Sequence, residues 1–85
     1  MSDIIEILKE RETTHGDFRE VSRIDQAFKS LLKSSPNWSN LSDTQKTSLE
    51  MISHKICRIL CGDPDHGDHV KDIIGYAELF HKEKK

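Results

Sequence analysis

Apolar residues recur at helical spacing in several segments of this chain, and this periodicity restricts the fold more than any other feature of the sequence. The clearest stripe consists of residues three or four positions apart: Phe18, Val21, Ile24, Phe28, Leu31 and Leu32. One buried face of a helix produces such a stripe. Since no segment alternates apolar and polar residues for long enough to form a strand, the sequence predicts an all-α fold.

Capping residues indicate where the second helix begins and where the third begins and ends. Asp17 with Glu20, and Ser42 with Gln45, match the pattern of an N-terminal capping box. Gly62 stands where a left-handed C-terminal cap belongs. We therefore predict a single all-α domain over 1–85 with helices at about 3–10, 17–33, 43–61 and 68–81. The third and fourth helices should form an antiparallel hairpin, with the second packed across them.

The chain has little apolar material for its length. Of its 85 residues 34% are hydrophobic, and its two cysteines cannot form a disulfide framework. A domain this short buries only about 60% of its unfolded surface. Ile4, Ile5, Ile7 and Leu8 follow one another so densely that the first helix needs a cover. We therefore expect a homo-oligomer, a dimer or larger, whose subunits share helices.

The charge balance excludes some classes of partner. Thirteen basic and fifteen acidic residues give a net charge of −2, whereas a nucleic-acid-coating protein needs a basic face to neutralise phosphates. No segment approaches the ~18 apolar residues of a membrane span, and the start of the chain does not resemble a signal peptide. We therefore expect a cytoplasmic protein, without a membrane or nucleic-acid partner.

The most polar segment, residues 62–72, contains four Asp, two His and one Lys. Asp68 and Asp72 are one helical turn apart on the predicted fourth helix, so both carboxylates can face one metal ion. The alternative is that Asp63 and Pro64 form a turn and that Asp65 or Asp68 caps the fourth helix.

Lys55 and Arg58 lie three residues apart on the predicted third helix. In an antiparallel hairpin, Arg58 lies opposite the start of the fourth helix and within reach of Asp68 or Asp72. Two interpretations stay open. The four side chains form structural ion pairs, or Lys55 and Arg58 hold phosphate while the two carboxylates hold a metal ion.

A short connection, residues 11–18, joins the first two helices in this prediction. Gly16 permits a positive φ there, and Asp17 caps the second helix. Arg11 and His15 would then point from a loop at a helix start, where anions bind favourably. Ordinary loop chemistry explains the same residues.

Three parts of the sequence resemble a family of small phage and prophage proteins of unknown function. They are Arg11 with His15-Gly16-Asp17, then Met51-Ile52-x-x-Lys55-Ile56-x-Arg58, and finally Asp68-x-x-x-Asp72-Ile73-x-Gly75-Tyr76-Ala77. The resemblance spans about residues 11–79, and the last motif is the most specific. His15 stands where the family usually has Tyr. The resemblance implies a bacterial host cytoplasm as the location and adds Tyr76 to the candidate site.

That family is similar, more distantly, to the MazG-like all-α nucleoside triphosphate pyrophosphatases. Their helices pair between subunits, and acidic side chains hold Mg²⁺. The similarity implies a four-helix, MazG-like hairpin or bundle that is completed by oligomerisation. It also implies a magnesium site at Asp68, Asp72 and Glu50. Where the enzymes have Glu-x-x-Asp, this chain has His69-x-x-Asp72, and their Glu-Glu-x-x-Glu motif is absent. If the chain is an enzyme, the similarity implies a Mg-dependent nucleotide pyrophosphohydrolase; the incomplete acidic set favours binding without catalysis.

Two functional hypotheses result. The first is a nucleotide- or phosphate-binding protein of phage type, whose ligand-binding residues would be Lys55, Arg58, Asp68, Asp72 and Tyr76, with Arg11, His15 and Asp17 at the rim. The second is a non-enzymatic interaction protein that binds and inhibits or regulates a host protein, for example in anti-defence. The concentration of acidic and basic groups at one end of the hairpin favours the first hypothesis. The small size, near-neutral charge and incomplete metal motif favour the second.

Overall fold

The computed structural model describes residues 2–83, apart from the side chains of Ser2, Glu12 and Thr14. This part of the chain is all-helical and contains no strand, which confirms the predicted class. The elements in order are α1 (Ser2–His15), α2 (Phe18–Lys33), a short 3₁₀ helix (Trp38–Asn40), α3 (Asp43–Cys61) and α4 (Gly67–Lys82).

Helix α3 lies at the centre of the molecule, because α1, α2 and α4 all pack against it. The α3–α4 pair is the most extensive contact, and it is antiparallel because only five residues connect the two helices. Helix α2 packs chiefly on α3, which is one of the two hairpin helices that it is predicted to cross. The resulting shape is elongated, with extents of 49 × 24 × 23 Å.

The predicted capping box at the start of α3 is confirmed, but the predicted cap at its end is wrong. The backbone N–H of Ser42 donates to Oε1 of Gln45 at 3.0 Å, and the backbone N–H of Gln45 donates to Oγ of Ser42 at 3.1 Å. Gly62 has φ −119° and ψ −138° rather than a left-handed conformation. Its N–H donates to the carbonyl of Arg58 at 2.8 Å, so this helical hydrogen bond forms without a left-handed residue.

Helix α1 is longer than the predicted 3–10, since it continues to His15. No Pro or Gly interrupts the segment between Glu10 and His15, and the helix ends only where Gly16 adopts φ +90°. The positive φ at Gly16 is therefore confirmed. Arg11 and His15 lie on the last turns of a helix, and their predicted placement in a loop is wrong.

Helix α2 begins with its predicted cap, whereas α4 begins with a residue other than the predicted Asp65 or Asp68. Asp17 caps α2, with its carboxylate accepting the backbone N–H of Arg19 at 3.4 Å. Glu20 does not complete a capping box; its side chain pairs with Arg23 one turn further on. At α4 the N-cap position is His66, and Asp68 lies inside the first turn.

The core is thin. Among the described residues the buried apolar side chains are Val21 and Cys57, and the buried polar ones are Asp25, Ser48, Ser53 and His69. Several residues of the predicted apolar stripes are largely exposed: Phe18 at 77%, Leu31 at 71%, Leu60 at 68% and Ile74 at 64%. The apolar residues of α1, namely Ile4, Ile5, Ile7 and Leu8, are also more than half exposed.

None of the helices within residues 2–83 combines the length and the apolar content that a membrane crossing requires.

Candidate functional site

The corner between α1 and α2 is fixed against the end of α3 by Gly16. A Cβ atom placed on Gly16 would lie 2.6 Å from Cβ of Cys61 and 2.7 Å from the Cys61 carbonyl oxygen. This approach is too close for any side chain, and the φ of +90° independently favours glycine. The sequence therefore brings the last turn of α1 and the first turn of α2 together beside α3.

A cavity of about 580 Å³ opens at this corner, between α1, α2 and α3. We name it the arginine pocket and define it by the residues that line it: Leu8, Arg11, His15, Gly16, Phe18, Val21, His54 and Arg58. Two arginines and two histidines supply its polar groups, while Leu8, Phe18 and Val21 supply apolar walls. Such a mixture is typical of sites for small molecules that carry both a charged and an apolar part.

Arg58 is held in the arginine pocket by a chain of hydrogen bonds that begins at a buried carboxylate. Its Nε donates to Nε2 of His54 at 3.1 Å, and Nδ1 of His54 lies 3.3 Å from Oδ2 of Asp25. Because Nε of arginine can only donate, Nε2 of His54 accepts and its Nδ1 carries the proton that Asp25 accepts. Asp25 therefore orients His54, and His54 orients the guanidinium of Arg58.

Asp25 is 5% exposed, which is unusual for a carboxylate. Its Oδ2 also pairs with Nζ of Lys29, one helical turn further along α2, at 3.0 Å. Its Oδ1 is buried and has no hydrogen-bond partner among the described residues. A buried charge requires paired groups, so Lys29 and His54 together explain why an acidic residue is tolerated in the packed face of α2.

The pKa values of both histidines of the arginine pocket are lowered, which favours their neutral form at pH 7. Burial, and next the positive charge of Arg58, lowers the pKa of His54 below its ordinary 6.5, although the nearby Asp25 opposes this shift. The pKa of His15 is lowered by burial, and further by Arg58 and the neighbouring histidines. Arg11 and Arg58 therefore supply the positive charge of the pocket lining at neutral pH.

A cluster of three histidines, His15, His66 and His69, connects the end of α1 with the start of α4. Their ring centroids are 5.0 to 5.6 Å apart, and Nδ1 of His15 lies 3.4 Å from Nε2 of His69. His69 is 1% exposed. This cluster packs α1 against the hairpin, and its member His15 also lines the arginine pocket.

The structure brings together three of the eight predicted ligand-binding residues, Arg11, His15 and Arg58, in the lining of the arginine pocket. Asp17 is next to this lining in sequence, but it serves as the cap of α2. Tyr76 lies toward the other end of the hairpin, in a shallow groove of about 290 Å³ that it shares with residues near the start of α3.

Lys55 and Asp72 form an ion pair between α3 and α4, with Nζ and Oδ2 2.8 Å apart. The Lys55 side chain is 13% exposed and that of Asp72 45% exposed. The hydrogen bond from Lys55 holds the pKa of Asp72 below its ordinary value. Of the two interpretations of this cluster, the geometry therefore favours the structural ion pair for Lys55 and Asp72.

The predicted magnesium residues, Asp68, Asp72 and Glu50, lie in separate surroundings. Asp68 faces Nε2 of His66 at 3.4 Å, and Asp72 faces Lys55. Glu50 lies on α3, where its backbone carbonyl accepts the hydroxyl of Ser53 at 2.8 Å. Within residues 2–83, no group of three or more His, Cys, Asp or Glu side chains is placed to hold a metal ion.

Sequence reasoning missed Asp25 as a supporting residue and His54 as part of the pocket lining. A signal was present: Asp25 follows Val21 by four residues and precedes Phe28 by three, which puts a carboxylate inside the apolar stripe of α2. An acidic residue at such a position needs a partner from another helix. The identity of that partner depends on how α2 crosses α3, and the sequence does not show this angle.

The fold and the site define a small all-α protein whose central helix and two neighbours enclose a cationic, partly apolar pocket. The chain belongs to the DUF6378 family, a domain of unknown function, which matches residues 3–84. Comparisons with curated proteins and with solved structures gave no match.

Proposed function

We propose that this protein binds a small phosphate-bearing molecule, and specifically a nucleotide, in the arginine pocket without hydrolysing it. The observation that carries the proposal is that Arg11 of α1 and Arg58 of α3 line the same cavity together with apolar walls. A guanidinium stays charged at all physiological pH values and presents donors in a planar fork that matches phosphate oxygens.

The fixed orientation of Arg58 in the arginine pocket supports this function. The chain from Asp25 through His54 fixes the Nε side of the Arg58 guanidinium, which leaves the terminal N–H groups to face a ligand. A pre-oriented donor loses less entropy when it binds an anion. An anion would also offset the repulsion between the positive charges of Arg11 and Arg58, which line the same cavity.

The pairing of the acidic side chains supports binding rather than catalysis. Asp72 accepts a hydrogen bond from Lys55, and Asp68 faces His66, so two of the three predicted metal ligands have a protein partner. The proposed protein is of phage type and has a MazG-like scaffold, in which helices pair between subunits. The enzymatic alternative to this binding function is a Mg-dependent nucleotide pyrophosphohydrolase.

Thermal unfolding of the full chain with nucleotides tests the proposal. A ligand that binds only the folded state at 100 times its Kd adds about 2.7 kcal/mol, which raises the midpoint of a domain this size by on the order of 10 °C. We expect nucleotides to raise the midpoint, with or without magnesium or manganese. Arg58→Gln should abolish the shift.

The matched control is Arg23→Gln, because Arg23 is an exposed arginine outside the pocket lining. It should respond to nucleotides as the unaltered protein does. A midpoint that no nucleotide moves would refute the proposal. Release of pyrophosphate from a nucleoside triphosphate in magnesium would instead support the pyrophosphohydrolase.

A second candidate function is that of an interaction protein, and the exposed apolar face of α1 favours it. Ile4, Ile5, Ile7 and Leu8 are each 51% to 62% exposed, although a stable soluble domain usually covers such a cluster. We propose that a second copy of this chain covers this face, in line with the expected homo-oligomer, while a host protein is the alternative occupant.

Light scattering coupled to size-exclusion chromatography distinguishes these occupants. A second copy predicts a dimer or larger species that Ile7→Glu converts to a monomer. The control Lys9→Glu introduces the same carboxylate at an exposed polar position of α1 and should leave the assembly intact. A monomer at high protein concentration would refute self-association through this face.

A further inference from the structure

We propose that the ligand of the arginine pocket is a nucleoside monophosphate, with its one phosphate group bound by Arg11 and Arg58 and its base lying on the ring of Phe18. This inference rests on the proposed function and narrows it to a ligand class. It follows from the charge that the pocket offers and from the position of an exposed aromatic ring in its lining.

The charge of the lining matches one phosphate group. Arg11 and Arg58 each contribute one positive charge, and a phosphate monoester carries about −1.5 to −2 at pH 7. The other two polar residues of the lining, His15 and His54, add mainly donors and acceptors: Nε2 of His54 accepts from Arg58, and burial and Arg58 lower the pKa of both rings. The arginine pocket therefore holds about two positive charges.

Two lysines near the pocket histidines already pair with carboxylates. Lys55 is bound to Asp72 at 2.8 Å, and Lys29 is bound to Asp25 at 3.0 Å. Each extra phosphate of a diphosphate or triphosphate adds negative charge, and these two lysines are committed to carboxylates. We therefore expect additional phosphates to gain little binding energy in this pocket.

Phe18 supplies the surface for the base. It is the first residue of α2 and lines the arginine pocket, yet 77% of its surface is exposed. An aromatic ring that lies open beside cationic groups can stack on a nucleobase, a contact that depends little on base identity. Leu8 and Val21 extend the apolar wall beside it.

The size of the pocket agrees with a ligand of this class. Its volume of about 580 Å³ lies within the range of roughly 300–1,000 Å³ that is typical of small-molecule sites. Inorganic phosphate would fill only the cationic part and a nucleoside only the apolar part, so we expect a molecule with both parts to bind more tightly than either.

Titration calorimetry on the full chain compares adenosine, inorganic phosphate, AMP, ADP and ATP. We expect AMP to bind at least tenfold more tightly than adenosine or inorganic phosphate, because only AMP uses both parts of the pocket. ADP and ATP should bind no more than about threefold more tightly than AMP, since their added charges find no free lysine.

Two variants separate the contributions of the phosphate and the base. Arg58→Gln should weaken AMP by about tenfold or more, as expected for loss of a charged hydrogen bond. Phe18→Ala should weaken AMP by about fivefold or more through lost stacking, while leaving inorganic phosphate unchanged. Leu31→Ala is the control for Phe18→Ala, because Leu31 is similarly exposed on α2 but lies outside the pocket lining.

The possible results separate this inference from the proposed function. If ATP binds tenfold or more tightly than AMP, or if Phe18→Ala leaves AMP binding unchanged, the monophosphate assignment is wrong while phosphate binding in the pocket stands. If none of the five compounds binds, both the assignment and the proposed function are wrong.

Discussion

Nδ1 of His54 lies 3.3 Å from Oδ2 of Asp25, a carboxylate on the neighbouring helix that is only 5% exposed. This contact joins α2 to α3 through two polar side chains at a position where apolar packing is the rule. On the other side of the ring, Nε2 of His54 accepts a hydrogen bond from Nε of Arg58 at 3.1 Å. One buried acidic residue therefore determines how a cationic side chain on the adjacent helix is presented.

The His54 pKa should respond in opposite directions to its two neighbours. Asp25 raises this pKa and Arg58 lowers it, within an overall decrease that burial dominates. We expect Asp25→Asn to lower the His54 pKa further and Arg58→Gln to raise it, as measured by NMR titration of the ring protons. The prediction is wrong if both variants shift the pKa in the same direction.

Asp25→Ala should also destabilise the fold by about 2 kcal/mol, the typical effect of removing a hydrogen-bonded charged group. Urea unfolding measures this free energy. Lys29→Ala should cost less, because the Lys29 side chain is 24% exposed and more accessible to water. Equal losses for both variants would indicate that the Asp25–Lys29 pair alone, without His54, stabilises this carboxylate.

The free energy of unfolding should fall as the pH is lowered through the histidine range. His15 and His54 have folded-state pKa values below 6.5, so at pH values below about 6.5 the unfolded chain binds more protons than the folded one. Stability is therefore fully present above pH 6.5, and it decreases as the pH falls through the folded pKa values. Urea unfolding between pH 5 and 8 measures this slope.

The variant His15→Tyr removes one of these titrating groups and should reduce the slope in that range. Below pH 4.5 a separate loss follows from Glu20 and Asp72, whose pKa values are lowered by hydrogen bonds from Arg23 and Lys55. A pH dependence of unfolding confined to values below 4.5 would contradict the histidine contribution.

Gly16→Ala should destabilise the protein by about 2–4 kcal/mol, because a Cβ there would overlap Cys61 and a positive φ strains any other residue. Gly75→Ala is the control, since a Cβ on Gly75 meets nothing within 4 Å; it should preserve or raise stability through its better helix propensity. Chemical unfolding of both variants tests the comparison, and equal stability of the two would contradict it.

Asp72→Asn should lower the unfolding midpoint without changing AMP affinity, as a structural ion pair requires. The double variant Lys55→Met/Asp72→Asn should lose less stability than the sum of the losses of the two single variants. Each single variant leaves one charge of the pair without its partner, whereas the double variant removes both charges. Asp68→Asn should have a smaller effect on the midpoint, since Asp68 is 74% exposed and faces only His66. A loss of AMP binding in Asp72→Asn would move this residue into the binding site.

The two cysteines should differ in reactivity. Cys57 is 0% exposed, and burial raises the pKa of its thiol, so little reactive thiolate forms. Cys61 is partly exposed. Mass spectrometry after brief treatment with iodoacetamide should find modification at Cys61 first, with Cys57 modified only after unfolding. Equal rates for both sites would contradict the buried placement of Cys57.

Local signals in the sequence predicted the helices well, and they failed where tertiary contacts decide. Ser42 and Gln45 form the predicted capping box because the two residues are three apart and need no other helix. The position of Gly62 after α3 predicts a left-handed cap, but Gly62 has a negative φ, because its conformation depends on how the chain turns toward α4. The extension of α1 to His15 went unpredicted because a loop was inferred from polar composition in a segment without a helix breaker.

The candidate site was predictable to the extent that charge and motif position indicate it. The sequence predicts Arg11, His15 and Arg58 as ligand-binding residues, and all three line one cavity. Tyr76 was selected from the same motif as Asp72 but lies in the other groove, because one helical turn carries it further along the hairpin. Asp25 escaped notice because a single carboxylate in an apolar stripe has no visible partner until the helices are packed.

The sequence by itself determined an all-α chain, the four helical segments, the cap of α3 and the glycine that turns α1 into α2. Each of these depends on residues within a few positions of one another, where backbone geometry and hydrogen bonding are local. Only the tertiary structure decided that Lys55 pairs with Asp72, that His54 lies between Asp25 and Arg58, and that Phe18 remains open beside two arginines. These relationships depend on the angle and register between helices, which are set by packing around α3.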